Sequence, residues 1–154
     1  MTGMFRSETD FSRALVAQLR LVGDACQHHD ASTPGLPDVS FALPGIGGWI
    51  ELKYCDESEN GGRVLTGLTR QQQRFLELRG GLMTYCFLAV ATEVGCYLFH
   101  HSQLEQVRRF EEQKLQWPPL RLTASWYRPW RKMEMEKSFT WDGLFRALTG
   151  LNRQ

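Results

Sequence analysis

The chain has 154 residues, enough for one domain with a substantial core and too few for two independent ones. Apolar residues make up 42% and charged residues 23%, which excludes a disordered tail and fits an ordinary globular domain. With 18 Lys and Arg against 17 Asp and Glu the net charge is only +1, so a polyanionic partner must be met by local clusters of cations and not by a global field.

In chain order, Ser7 stands three residues before Asp10, an acidic variant of the capping box. Phe11, Leu15, Val16, Leu19 and Val22 then recur at helical spacing, which predicts a helix over 8–22 stopped by Gly23. The stretch DACQHHDASTPGLP reads as polar turn. Two apolar runs, near 38–43 and 49–54 and joined by PGIGG, read as a hairpin. A polar loop follows from Asp56 to Gly67. Thr69 and Gln72 then open a second helix, LTRQQQRFLELR, expected to stop at Gly80 and Gly81. LMTYCFLAVAT and VGCYLFH read as buried strands, and Ser102 with Glu105 opens a third helix. After Lys114 come Pro118, Pro119 and four of the five tryptophans, with a last helix expected over 142–148. The order predicts an α/β fold with a central mixed sheet flanked by helices: a core over 1–115 and an aromatic, basic extension over 116–154, packing on the core or on a partner subunit.

No apolar run nears the roughly 18 residues that span a bilayer. The charged start MTGMFRSETD lacks the apolar stretch of a signal peptide, so a cytoplasmic protein without a membrane partner is expected. The four cysteines (Cys26, Cys55, Cys86, Cys96) are widely spaced and form no CxxC, which predicts reduced thiols, mostly buried.

The segment that carries chemistry is Pro37-Asp38 followed by Glu51-Leu52-Lys53. Strand alternation puts Glu51 and Lys53 on one face and Ile50 and Leu52 on the other. The hairpin brings Asp38 toward Glu51, and two converging carboxylates make an oxygen-rich pocket suited to a hard divalent cation such as Mg2+.

Asp38, twelve intervening residues and then Glu51-Leu52-Lys53 resembles the PD-(D/E)XK nuclease superfamily. The resemblance is closest to the branch of the archaeal-type Holliday-junction resolvases and VRR-NUC domains. It rests on five features in order over roughly residues 7–100: Glu8 on the first helix, Gly35-Leu36-Pro37-Asp38, Glu51 to Lys53, Leu68-Thr69-Arg70-Gln71-Gln72, and Gly80-Gly81 before a strand.

The resemblance implies a restriction-endonuclease-like core and a Mg2+-dependent endonuclease, with Mn2+ as a substitute, that cuts Holliday junctions or other branched DNA as a homodimer. It implies that Asp38, Glu51 and the backbone carbonyl of Leu52 hold the metal. Lys53 would help to activate water and stabilise charge on the scissile phosphate. Glu8 would complete the acidic cluster directly or through a water, and Gln72 would hold Lys53 or a phosphate. A nicking or repair nuclease, or a non-catalytic module of the same fold that binds DNA or protein, are the alternatives.

Plainer readings stand beside these. Glu51 and Lys53 would also suit a surface ion pair, Glu8 a first-turn carboxylate, and Gln72 a simple capping residue. His28, His29 and Asp30 read as a general-base pair, a metal site with Cys26, or a solvated loop. Arg63 and Arg70 flank the loop before the second helix, where arginines meet phosphates or merely water. In the tail, Trp117, Trp126, Tyr127 and Trp130 alternate with Arg121, Arg128, Arg131 and Lys132. Such a segment packs a core or dimer interface, the preferred reading, or stacks on unpaired bases of DNA.

Overall fold

A computed structural model of the chain describes residues 5–29, 32–63, 65–82, 85–115, 124, 126–129 and 141–150, with the backbone alone at 59, 60, 126–129 and 142. The helices are α1 (Glu8–Val22), α2 (Arg70–Gly81), α3 (Leu104–Glu112) and α4 (Trp141–Gly150). The strands are β1 (Asp24–Gln27), β2 (Val39–Leu43), β3 (Ile46–Cys55), β4 (Tyr85–Thr92), β5 (Gly95–His100) and β6 (Trp126–Pro129). They form one sheet in the order β1-β2-β3-β4-β5-β6, in which β3 and β4 are parallel and every other pair antiparallel. The central mixed sheet flanked by helices expected for a restriction-endonuclease-like core is therefore present.

The sheet is covered on both faces because each strand alternates two apolar sets. Val39, Phe41, Ile50, Leu52, Phe87 and Leu98 meet Phe11, Leu15 and Leu19 of α1 and Leu144 and Leu148 of α4. Leu88, Val90, Tyr97 and Phe99 meet Leu76 of α2 and Leu104 and Val107 of α3 on the other face. Phe11, Leu15 and Leu19 are fully buried, each such side chain stabilising the fold by about 1.5–3 kcal/mol. The two central strands β3 and β4 are lined by such residues, with Leu52, Phe87, Leu88 and Val90 fully buried. A polar side chain at mid-strand there is thus held rigidly, and at high cost unless it is partnered.

Local signals place the helices. Ser7 Oγ accepts from the Asp10 amide at 3.1 Å and caps α1, which ends at Gly23 as expected. Thr69 and Gln72 form the complete capping box of α2. Four expectations need correction. DACQ is not turn but the edge strand β1, because its backbone pairs with β2 in spite of its polar side chains. The PGIGG connection is shorter than expected, since Ile46 already pairs with Leu43. Helix α2 runs through Gly80 and Gly81 to a cap at Leu82. The turn leading into α3 is capped by His100 and Gln103 rather than by Ser102 and Glu105.

In the expected 116–154 extension, the described segments join the fold: β6 pairs with β5, and Leu144 and Leu148 of α4 enter the core. All four cysteines are free, and only Cys26 is exposed. Among the described residues, no helix is long and apolar enough to cross a membrane.

Candidate active site

Strand β3 positions the site. It pairs with β2 and β4 along most of its length, so Glu51 and Lys53 project from the middle of the sheet and not from a surface strand. Their neighbours Ile50 and Leu52 enter the core beneath α1, while Cys55 enters the core beneath α2 and α3. By alternation Glu51 and Lys53 lie on the α2 side. Glu51 is 1% exposed and its Oε1 lies 2.9 Å from Lys53 Nζ, itself 13% exposed. The solvated surface pair is thereby excluded.

Asp38 enters from the residue preceding β2. Val39 pairs with Ile50, which sets Asp38 beside Glu51, and Asp38 Oδ2 accepts the Leu52 amide at 2.8 Å. The turn before it depends on Gly35, whose φ is +78°. A Cβ there would sit 2.5 Å from the Gln71 carbonyl oxygen, so the Gly-Leu-Pro-Asp segment rests directly on the first turn of α2. Gly35→Ala combines left-handed strain with a backbone clash. It is expected to destabilise the fold by about 2 kcal/mol or more, read as a lowered urea midpoint. An unchanged midpoint would show that this contact does not fix the turn.

Gln72 is a correction in detail. It donates not to Lys53 but to Glu51, with Nε2 2.5 Å from Oε1, while its own Oε1 accepts the Thr69 amide at 3.0 Å. One side chain therefore both caps α2 and clamps the carboxylate, and the capping and site readings are not alternatives. Neighbouring Gln73 turns away to Glu77, Glu105 and Arg108.

Glu8, in the first turn of α1, accepts the Tyr54 backbone amide and interacts electrostatically with Lys53 and Asp38. The structure thus brings together Glu8, Asp38, Glu51, Lys53 and Gln72 from four separate stretches of chain. Sequence pattern alone does not reveal the Tyr54 amide as Glu8's anchor, because main-chain partners leave no residue-type signal.

The electrostatics follow from crowding in a poorly solvated place. Burial, then repulsion from Asp38, pushes Glu51 up to about 7 despite the attraction of Lys53. Burial is also the chief cause raising Glu8 and Asp38. For Lys53, burial alone would lower the pKa, but its attraction to Glu51, the hydrogen bond to it, and the charges of Glu8 and Asp38 outweigh that and raise it. The cluster is short of positive charge.

One more atom makes the point. Both neighbours of Glu51 bind Oε1, and Oε2 is buried with no hydrogen-bond partner among the described residues. Such an orphan is uncommon and calls for a functional cause. A hard divalent cation fits: it bonds oxygen, tolerates one or two carboxylates with water filling the other positions, and supplies the missing charge. Among the described residues no group of three or more His, Cys, Asp or Glu is placed to hold a metal ion, so the fit is to two carboxylates at most, without Glu8 as a third ligand. Oε2 of Glu51 and Asp38 are the oxygens available to it, with the Leu52 carbonyl the remaining expected donor.

The other expected residues lie apart. His28 Nε2 is 2.8 Å from Ser40 Oγ and its ring packs on Trp49. Among the described residues His28, His29 and Cys26 are not placed to hold a metal, and Asp30, the third member of the expected general-base group, lies outside the described residues. His29 is exposed and acts on Asp38 only through its charge. Arg63 is exposed just past the 3-10 turn Glu59–Gly62. Arg70 makes an exposed ion pair with Glu112 at 3.3 Å. Arg128 lies on β6 with its backbone alone described, and Arg131 and Lys132 lie outside the described residues, as do Trp117 and Trp130.

No protein-family profile matches the chain, and no curated protein matches it. Among solved structures the chain is similar to Hjc, a Holliday junction resolvase from the archaeal hyperthermophile Archaeoglobus fulgidus. The TM-score is 0.48 and the identity 18%, over 73% of this chain and 98% of that one. At that distance the likeness assigns no residue and no activity, and the chemistry has to come from the site's own geometry.

Proposed function

We propose that the chain is a divalent-metal-dependent DNA endonuclease of the PD-(D/E)XK kind, acting on branched DNA as a homodimer. The observation that carries this reading is Glu51: a carboxylate at mid-strand in a central strand, held on one oxygen by Lys53 and Gln72 and orphaned on the other. A group of charges buried this deeply costs folding energy and repays it only through chemistry. The order of Asp38, Glu51 and Lys53 along the chain, with Glu8 and Gln72 meeting them in space, supports the same superfamily pattern.

In this reading Asp38 and Glu51, with the Leu52 carbonyl, would hold a Mg2+ or Mn2+ ion, which would supply Lewis acidity and counter-charge at the scissile phosphate. Lys53 presents a compact cation to a non-bridging phosphate oxygen and to the attacking water, where negative charge grows during in-line displacement. The carboxylates around it keep it protonated. Gln72 fixes the rotamer of Glu51, leaving Oε2 directed away from Lys53. Glu8 adds negative charge that favours the cation and holds a water on the side of α1. Two copies related by a two-fold axis would place two such sites on paired strands, the natural geometry for a symmetric junction.

The test is cleavage of labelled four-way-junction, flap, single-stranded and linear duplex DNA with Mg2+ or Mn2+. Preference for the junction supports the resolvase reading, and equal cutting of all four replaces it with a general nicking nuclease. Binding of DNA without any cutting would make the chain a non-catalytic module.

A further inference from the structure

Next to the carboxylate cluster lies an aromatic group that the proposed chemistry does not use. Trp49 precedes Glu51 by two residues on β3, which places it on the same face and roughly 7 Å along the strand. Its ring is half-buried. His28, held by Ser40, packs on it at 5.1 Å between centroids, and Phe75 of α2 meets it edge-on at 5.6 Å. The Arg79 guanidinium lies 5.2 Å from the Phe75 ring. Beyond Trp49 the sheet surface is low: Cys26 and Ala42 are exposed, and Ser40 is half-buried.

Trp49 packs in part against the core on the α2 side, but unlike the fully covered Phe87, Tyr97 and Phe99 it and Phe75 remain half-buried beside a polar, small-residue surface. Arg79 is an exposed cation here. Lys53 is already paired with Glu51, and the acids nearby are Asp24, which accepts the Ala25 amide, and the carboxylates of the cluster itself, so affinity at this place has to come from the rings more than from charge.

We propose that Trp49 and Phe75, flanked by His28 and Arg79, form a stacking shelf for an unpaired nucleobase of the DNA strand whose phosphate lies at Glu51 and Lys53. The proposal rests on the nuclease reading and deepens it. A base inside a continuous duplex has both faces taken by its neighbours, so a shelf beside the scissile phosphate selects flaps, forks, junction centres and single strands over linear duplex. Every base has a π face, so the shelf takes any base.

The test is fluorescence anisotropy of a labelled oligothymidylate and of a labelled linear duplex, in EDTA, so that no cleavage intervenes. Trp49→Leu preserves apolar contact and removes stacking. It should weaken oligothymidylate binding roughly tenfold, leave duplex binding nearly unchanged, and be largely rescued in Trp49→Phe. Arg79→Ala, at an exposed helix position, should weaken the oligothymidylate about two- to fivefold through loss of its cation–π contact, without touching the core.

Unchanged oligothymidylate affinity in Trp49→Leu with a native melting curve would overturn the shelf, as would equal loss on both DNAs. A drop that tracks loss of dimer on gel filtration would assign the surface to a second copy instead. Strand cutting by the wild type in Mg2+, read separately from binding, distinguishes the shelf from the nuclease reading. If the wild type cuts no DNA yet Trp49 still governs binding, the nuclease reading fails and the shelf stands.

Discussion

Glu51→Gln is expected to abolish cleavage and, at the same time, to make the metal-free protein more stable at pH 8. A carboxyl group whose pKa is raised by folding is at ease in the fold only while protonated. For Glu51 the shift runs from 4.5 to about 7, so its ionisation withdraws stability progressively as pH rises through that window and in full above it. The span corresponds to about 3 kcal/mol at most. It already counts the attraction of Lys53, and so the usual penalty for splitting a buried ion pair does not reverse the sign. Gln matches the neutral acid in shape and still accepts from Lys53 and Gln72, although its amide leaves a buried donor unpaired, at a cost of about 1–2 kcal/mol.

The net expectation is a gain of about 1–2 kcal/mol at pH 8, or roughly 2–6 °C in Tm for a domain of this size, turning into a small loss at pH 5, where the carboxyl is protonated in the fold and the cost of the unpaired amide donor remains. Added Mg2+ should raise the Tm of the wild type, most at pH 8, and leave the variant unmoved. Thermal melts at the two pH values, with and without Mg2+, check this. A variant less stable than the wild type at pH 8 would mean that the Lys53 pair outweighs desolvation.

Lys53→Met is expected to lower the cleavage rate by roughly a hundredfold to a thousandfold while DNA affinity stays within a few-fold. The loss is that of a cation placed where charge develops in the transition state. Met has nearly the length of the Lys stem and suits a site only 13% exposed. Glu51, deprived of its counter-charge, takes up a proton at neutral pH, so the fold need not pay for an isolated buried anion. Single-turnover cleavage and anisotropy on the same junction check both halves. Retained cleavage would remove Lys53 from the mechanism, and lost binding would make it a docking residue.

The parts of this structure that could be read from sequence are those in which one residue type answers one local demand. Ser7, Thr69 and Gln72 announced helix starts because a free amide needs an oxygen three residues away. Period-two alternation around Glu51 put the acid and Lys53 on one face. The hairpin brought Asp38 to Glu51, and the structure joins them through the Leu52 amide.

Other features depended on partners distant in sequence or on main-chain atoms. β1 is polar, and only its ladder to β2 makes it a strand. Gly35 could be seen as a turn residue, but not as the point where the Asp38 segment rests on Gln71. Gln72 was placed at the site by motif spacing; that it grips Glu51 and not Lys53 follows from the reach of α2 over β3. Trp49 lay in plain view two residues before Glu51, and its shelf emerged only when His28 and Phe75 arrived from elsewhere in the chain.

The central claim is that Asp38 and Glu51 form a metal site that hydrolyses DNA. It is met most directly by cleavage of one labelled four-way junction by the wild type and Asp38→Asn, side by side, in Mg2+ and in EDTA. The account predicts strand cutting by the wild type in Mg2+ alone, and a loss of at least roughly a thousandfold in the variant. Cutting that survives EDTA, or survives in Asp38→Asn, would contradict it.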